Sequence, residues 1–124
     1  MGKKKITTAS AKDKGRRLQK WACEQISRIT GFPWGKDQPI ESRGMGQQGV
    51  DVRLEERVLA LFPFSIECKA QESWSVHSWI EQAQANNLPG TDWLLIAKRS
   101  RKAPVVIMDA EVFFNIFART INHD

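Results

Sequence analysis

The stretch Phe64-Ser-Ile-Glu-Cys-Lys-Ala70 places an apolar residue at every second position. An extended strand turns alternate side chains to opposite faces. Phe64, Ile66, Cys68 and Ala70 are therefore predicted to share one face, and Ser65, Glu67 and Lys69 the other. A strand with one packed face demands a covering layer, so this segment anchors a sheet-based fold. Its polar face admits two readings: a solvated Glu and Lys on an antiparallel strand, or two groups held together for chemistry. A bare Glu-x-Lys is common by chance, so the choice rests on the rest of the chain.

Upstream, Leu18, Trp21, Ala22, Ile26 and Ile29 form one stripe at helical spacing from about Asp13, and Gly31 with Pro33 ends it. Residues 31–49 hold five of the eight glycines and two prolines, which predicts a long loop with a short strand near Pro39 to Arg43. A loop of that length in a small domain is usually functional. VDVRL and VLALFPFSIECKA then read as two strands around a turn at Glu55 to Arg57, expected to pair antiparallel. A second helix follows from about Ser75 to Asn86, with Val76, Trp79, Ile80 and Ala83 as its stripe. DWLLIAK and PVVIM are short buried strands joined by RSRK, and Asp109 is placed to cap a last helix, AEVFFNIFAR. Helices alternating with strand pairs predict a mixed sheet flanked by helices, an α/β or α+β domain.

With 124 residues, 41% of them hydrophobic, the chain suits one domain with a real core, expected over residues 12–124 behind a flexible basic arm at 1–11. Cys23 and Cys68 fit neither a zinc spacing nor a disulfide framework, which predicts reduced, buried thiols and an intracellular, cytoplasmic protein. No apolar run approaches the ~20 residues of a membrane span. His77 and His123 have no partner at metal spacing. Trp21, Trp79 and Trp93 lie on apolar stripes and are expected in the core, leaving Trp34 and Trp74 beside loops as candidates for stacking on a ligand. Glu72 reads as a helix-start charge.

Charge narrows the partner. Nineteen Lys and Arg against fourteen Asp and Glu give a net charge of +5. The excess is concentrated at the N-terminus, including Lys14, Arg16 and Arg17, and in the turn Lys98, Arg99, Arg101 and Lys102. Such clusters attract a phosphate backbone, although a solvated tail and a solubilising turn have the same composition.

Asp51 opens the strand expected beside Phe64–Ala70, so its carboxylate can lie next to Glu67. Two acids brought together need a cation between them, and hard oxygen ligands of this kind suit Mg²⁺ or Mn²⁺. Lys69, on the same face as Glu67, adds a fixed positive charge. Phosphodiester hydrolysis needs this set: a metal to activate water and a lysine to steady the developing charge.

Gly49-Val50-Asp51, a hairpin, Glu67-Cys68-Lys69 and a following helix with Gln82 resemble the PD-(D/E)XK nuclease superfamily. KGRRLQKWACEQI with SRGMGQQGVDVRL is similar to Holliday-junction resolvases and small phage-encoded nucleases of that type. The resemblance implies a restriction-endonuclease-like core. It also implies a divalent-metal site on Asp51, Glu67 and the Cys68 carbonyl, and Lys69 in catalysis. Ser42 and Arg43 fall in the loop where resolvases keep a small polar residue and a phosphate contact, though plain turn chemistry explains them equally. A helix acid belongs to the pattern; Glu24 is the candidate, while the spacing points nearer to Gln19, which does not ionise. Val50 stands where the motif has proline, and with no Tyr in the chain the exonuclease branches fit poorly. The implied activity is a Mg²⁺-dependent DNA endonuclease of phage type acting in a bacterial host, selective for branched DNA in recombination and working as a homodimer. The alternatives are a nicking or general endonuclease and a non-catalytic DNA-binding protein.

Overall fold

The computed structural model describes residues 8–44 and 49–122. Helix α1 runs from Thr8 to Thr30. It begins before the apolar stripe and takes in residues 8–11 of the expected arm, because Ala9 and Ala11 favour helix and an exposed first turn needs no packing. Residues 1–7 of that arm lie outside the described residues. The helix stops at Gly31, whose left-handed φ of +81° lets its N–H donate to the Ser27 carbonyl at 2.8 Å.

The glycine-rich loop contains the short strand β1, Ile40–Ser42. It pairs antiparallel with β2, Val52–Leu54, in the register Ile40 to Leu54 and Ser42 to Val52. A four-residue helix α2, Glu56–Leu59, leads into β3, Phe64–Ala70. Helix α3, Val76–Ala85, is the crossover to β4, Asp92–Lys98. A tight turn joins β4 to β5, Val105–Met108, and helix α4, Ala110–Asn122, follows. Asp109 caps α4 as expected, its Oδ1 accepting the Val112 N–H at 3.1 Å.

The sheet order is β3-β4-β5, with β3 parallel to β4 and β5 antiparallel, so the domain is α+β with a mixed sheet. The expected antiparallel pair of VDVRL with FSIECKA does not form. β2 takes β1 as its partner, and β3 pairs with β4 on one edge while its other edge is met by Asp51, just ahead of β2.

Two cores hold the sheet from opposite sides. On one, Leu18, Ala22, Cys23 and Ile26 of α1 pack on Phe64, Ile66, Leu94 and Ile96, with Val112 and Ile116 of α4 alongside. On the other, Trp79 of α3 packs with Leu95 and Ala97, joined by Trp74, Ile80 and Trp93. Trp74 is half-buried: it packs tilted against Trp79 at 5.9 Å and its indole N–H donates to the Gln71 carbonyl at 2.8 Å. Trp21, expected in the core, is 39% exposed at the flank of the α1 stripe. Leu95 is fully buried at the centre of the sheet, so Leu95→Ala is expected to destabilise by roughly 2–5 kcal/mol with an unchanged fold, read from urea midpoints.

Both cysteines are free. Burial pushes the Cys23 thiol up to about 11 and raises Cys68 well above its usual value, so both stay protonated. Among the described residues no helix is long and apolar enough to cross a membrane.

Candidate active site

β3 is the edge of its sheet, and Asp51 closes that edge where a neighbouring strand would otherwise sit. Gly49 turns the chain with φ +94°, a conformation that strains any L side chain, and Val50 is buried just before Asp51. The Asp51 N–H donates to the Ile66 carbonyl at 2.9 Å, and Asp51 Oδ2 accepts the Cys68 N–H at 2.7 Å. A strand residue presents its N–H and C=O to the same edge, so the Cys68 carbonyl faces the Asp51 side rather than β4.

Glu67 pairs in register with Leu95 and Lys69 with Ala97, so both point toward the α3 side of the sheet. That face is covered rather than wet. Glu67 is 4% exposed, and Lys69 lies with its Nζ 3.8 Å from Glu67 Oε1. The last turn of α3 closes over the pair, and Asn86 Nδ2 donates to Glu67 Oε2 at 3.4 Å. The Ser65 hydroxyl fixes that lid by accepting the Leu88 N–H at 2.9 Å.

The electrostatics show two acids under compression. Burial raises Glu67 to about 6, the Asp51 charge adds to the rise, and Lys69 and Asn86 offset part of it. Burial also raises Asp51, against the Cys68 N–H and the charges of Lys69 and Arg43. Buried carboxylates in such surroundings resist ionisation until a cation arrives. Two carboxylates and a main-chain carbonyl form an all-oxygen set, which fits a hard divalent cation that keeps several waters. Among the described residues no group of three or more His, Cys, Asp and Glu side chains is placed to hold a metal.

The structure does not bring Glu24 to this pair. The buried positions of α1 are Leu18, Gln19, Ala22, Cys23 and Ile26, and Glu24, five residues beyond Gln19, falls on the far side of the helix and is exposed. Gln19, 2% exposed, occupies the sheet-facing position that the resolvase pattern gives to an acid. Gln82 is exposed on α3, and Asn86, one turn later, is the residue that reaches Glu67. Asn86 was legible in the sequence only as part of a helix stop, because nothing local says which way a capping Asn turns. His77 is exposed, and His123 lies outside the described residues.

Beside Lys69 opens a cleft of about 480 Å³, walled by Lys12, Lys14, Gly15 and Gln71. A second cleft of about 460 Å³ shares Lys14, Ala70 and Glu72 with it and runs to the β4–β5 turn. Of the basic residues predicted to hold DNA, Lys14, Arg17, Lys98, Arg99 and Arg101 line this second cleft. Lys14 ties helix to turn, its Nζ donating to Ser100 Oγ at 2.7 Å. Arg43 lies at the other end, its N–H donating to the Asp51 carbonyl at 2.8 Å, while Ser42 is held in the β1–β2 ladder opposite Val52. Arg16 is turned away and faces Asp13 at 3.6 Å, and Lys102 is exposed on the turn without lining either cleft. Glu72 is not a helix-start charge. It lies ahead of α3 and accepts the Ser100 N–H at 2.8 Å, which holds its carboxyl below the usual range.

An Asp on the edge of a mixed sheet, a Glu-x-Lys on the adjoining strand and helices on both faces match the architecture of a PD-(D/E)XK fold. The chain belongs to the family described as "Phage putative PDDEXK endonuclease", whose model matches residues 10–123. No curated protein and no solved structure matches it.

Proposed function

We propose that this protein is a Mg²⁺- or Mn²⁺-dependent DNA endonuclease, structure-selective on branched DNA. The observation that carries the reading is the buried Glu67, raised by the charge of Asp51 and 3.8 Å from Lys69, with Lys69 lining a cleft that Lys12 and Lys14 also wall. Asp51, Glu67 and the Cys68 carbonyl hold the divalent ion. When bound, that ion supplies charge neutralisation at the phosphate and an acidified water. Lys69 faces the scissile phosphate and stabilises the charge that develops on its oxygens. Lys14, Arg17 and the 98–102 turn hold the backbone on either side, where contacts position the strand without reading sequence.

Incubation with Mg²⁺ of a four-way junction and of a linear duplex, using wild type and Asp51→Asn, tests this. Paired incision of the junction with the duplex spared is expected from wild type alone. Equal cutting of both substrates removes the selectivity and leaves a general or nicking endonuclease. No cutting of either leaves a DNA-binding protein.

A homodimer belongs to the same proposal, since paired incision needs two sites. Phe113, Phe114, Phe117 and Ile121 expose one face of α4, and Val106 of the edge strand β5 is also exposed. Together they form an exposed apolar surface with three phenylalanines on one helix, the kind of patch that marks an interaction site. Phe114→Glu is expected to shift the sedimentation of a dimer to that of a monomer while the circular dichroism spectrum is kept. A wild type that sediments as a monomer at micromolar concentration rules out this face as a dimer surface.

A further inference from the structure

The second cleft combines features that a groove for duplex backbone has no need of. Trp21 is a large aromatic side chain, 39% exposed, and it lines the cleft together with Leu18, Ala70 and Pro104. Around this apolar floor stand Lys14, Arg17, Arg99 and Arg101. Lys14, Arg17 and Trp21 repeat at i, i+3 and i+7, so one flank of α1 presents two cations and an indole in a row. The opposite wall is fixed rather than loose: Lys14 bonds Ser100, and Glu72 accepts the Ser100 N–H. The space of about 460 Å³ lies within the range of small-ligand pockets, about 300–1,000 Å³.

We propose that this cleft receives one unpaired nucleobase of the DNA strand, stacked on Trp21, with its flanking phosphates held by Arg17 and the Lys98–Lys102 turn. A base within a duplex keeps its ring faces covered by its neighbours, whereas an unstacked base offers a face to an aromatic side chain. Cations around an aromatic floor are the pattern that binds single strands without reading sequence. The cleft shares Lys14, Ala70 and Glu72 with the one that Lys69 lines, so a strand anchored by such a base runs on toward Lys69. Branch points, where bases lose their stack, are then selected by what the pocket holds. This deepens the endonuclease reading and rests on the cleft being its DNA groove.

The test measures binding in EDTA, so that turnover does not enter. The probes are a DNA duplex with a single-nucleotide bulge and the same duplex fully paired, read by fluorescence anisotropy. Trp21→Ala is expected to weaken binding of the bulged probe about 10-fold or more, to leave the paired probe within about twofold, and Trp21→Phe to restore most of the loss. With the wild type alone, 2-aminopurine at the bulge is expected to be quenched on binding, a readout independent of how the variant folds. Equal losses on both probes, or unchanged 2-aminopurine emission, overturn the proposal. If the bulge is bound in this way but nothing is cut with Mg²⁺, the base pocket stands and the nuclease reading falls. Cutting without discrimination between the probes has the opposite meaning.

Discussion

Glu67→Gln is expected to lower cleavage at least about a thousandfold and, in the same protein, to raise the melting temperature of the metal-free form. The two effects have one cause. Glu67 is buried beside Asp51, and its carboxyl is raised from 4.5 to about 6. Below about 4.5 the group is protonated folded and unfolded, and it contributes nothing to the pH dependence. Between 4.5 and 6 the unfolded chain releases the proton while the folded chain keeps it, so stability falls as pH rises. Above 6 the full loss remains, on the order of 2 kcal/mol. An amide of the same shape avoids that loss and still meets Asn86. In EDTA at pH 7.5 the variant should therefore melt about 3–8 °C higher, with the difference shrinking toward pH 4.5. Added Mg²⁺ should raise the wild-type midpoint by binding the folded state and leave the variant nearly unmoved. A folded variant that melts at or below wild type throughout sinks this account of the site.

The sequence carried the elements because their signals are local. The alternation in Phe64–Ala70 and the stripe of Val76, Trp79, Ile80 and Ala83 each name a period and a face. Pairing is not local. VDVRL and FSIECKA look like a hairpin in sequence, but β2 is satisfied by β1 from the glycine-rich loop and its segment bonds β3 through Asp51, which no inspection of two strands reveals. The polar face of β3 was open for the same reason: whether Glu67 is wet or covered depends on α3, a dozen residues further on.

On α1 the limits are finer. Trp21 and Glu24 lie within one turn of residues that are fully buried, and a rotation of under half a turn decides their surroundings. The apolar character of Trp21 argued for the core, yet its place on the flank beside Lys14 and Arg17 puts it in a basic cleft. Glu24 was the only acid on the helix beyond Asp13, and position overruled type: the sheet-facing residue is Gln19. Asp51 was legible because a glycine turn and a strand start leave few alternatives, and Gly49 in the left-handed region confirms that turn.

Lys69→Ala is expected to lower the cleavage rate about 100- to 1,000-fold while changing DNA affinity no more than about threefold, because the other cations of the two clefts carry most of the backbone attraction. The residue has two ways to act, and they separate by pH. In the first, its ammonium stabilises the charge that develops on the phosphate, and the loss in the alanine variant is the same at every pH. In the second, Lys69, 3.8 Å from Glu67, serves by keeping that carboxylate ionised. Removing it then raises Glu67 further above about 6, and the lost rate returns as pH increases. The site favours the first, since burial and Asp51 dominate the rise in Glu67 and Lys69 only offsets part of it. Single-turnover rates from pH 6 to 9 for wild type, Lys69→Ala and Lys69→Arg distinguish the two. A parallel deficit across that range, partly restored by arginine, is the expected result. Recovery of the alanine variant at high pH moves Lys69 from the reacting phosphate to the metal-binding carboxylate, and wild-type rates in that variant at pH 7.5 remove it from catalysis.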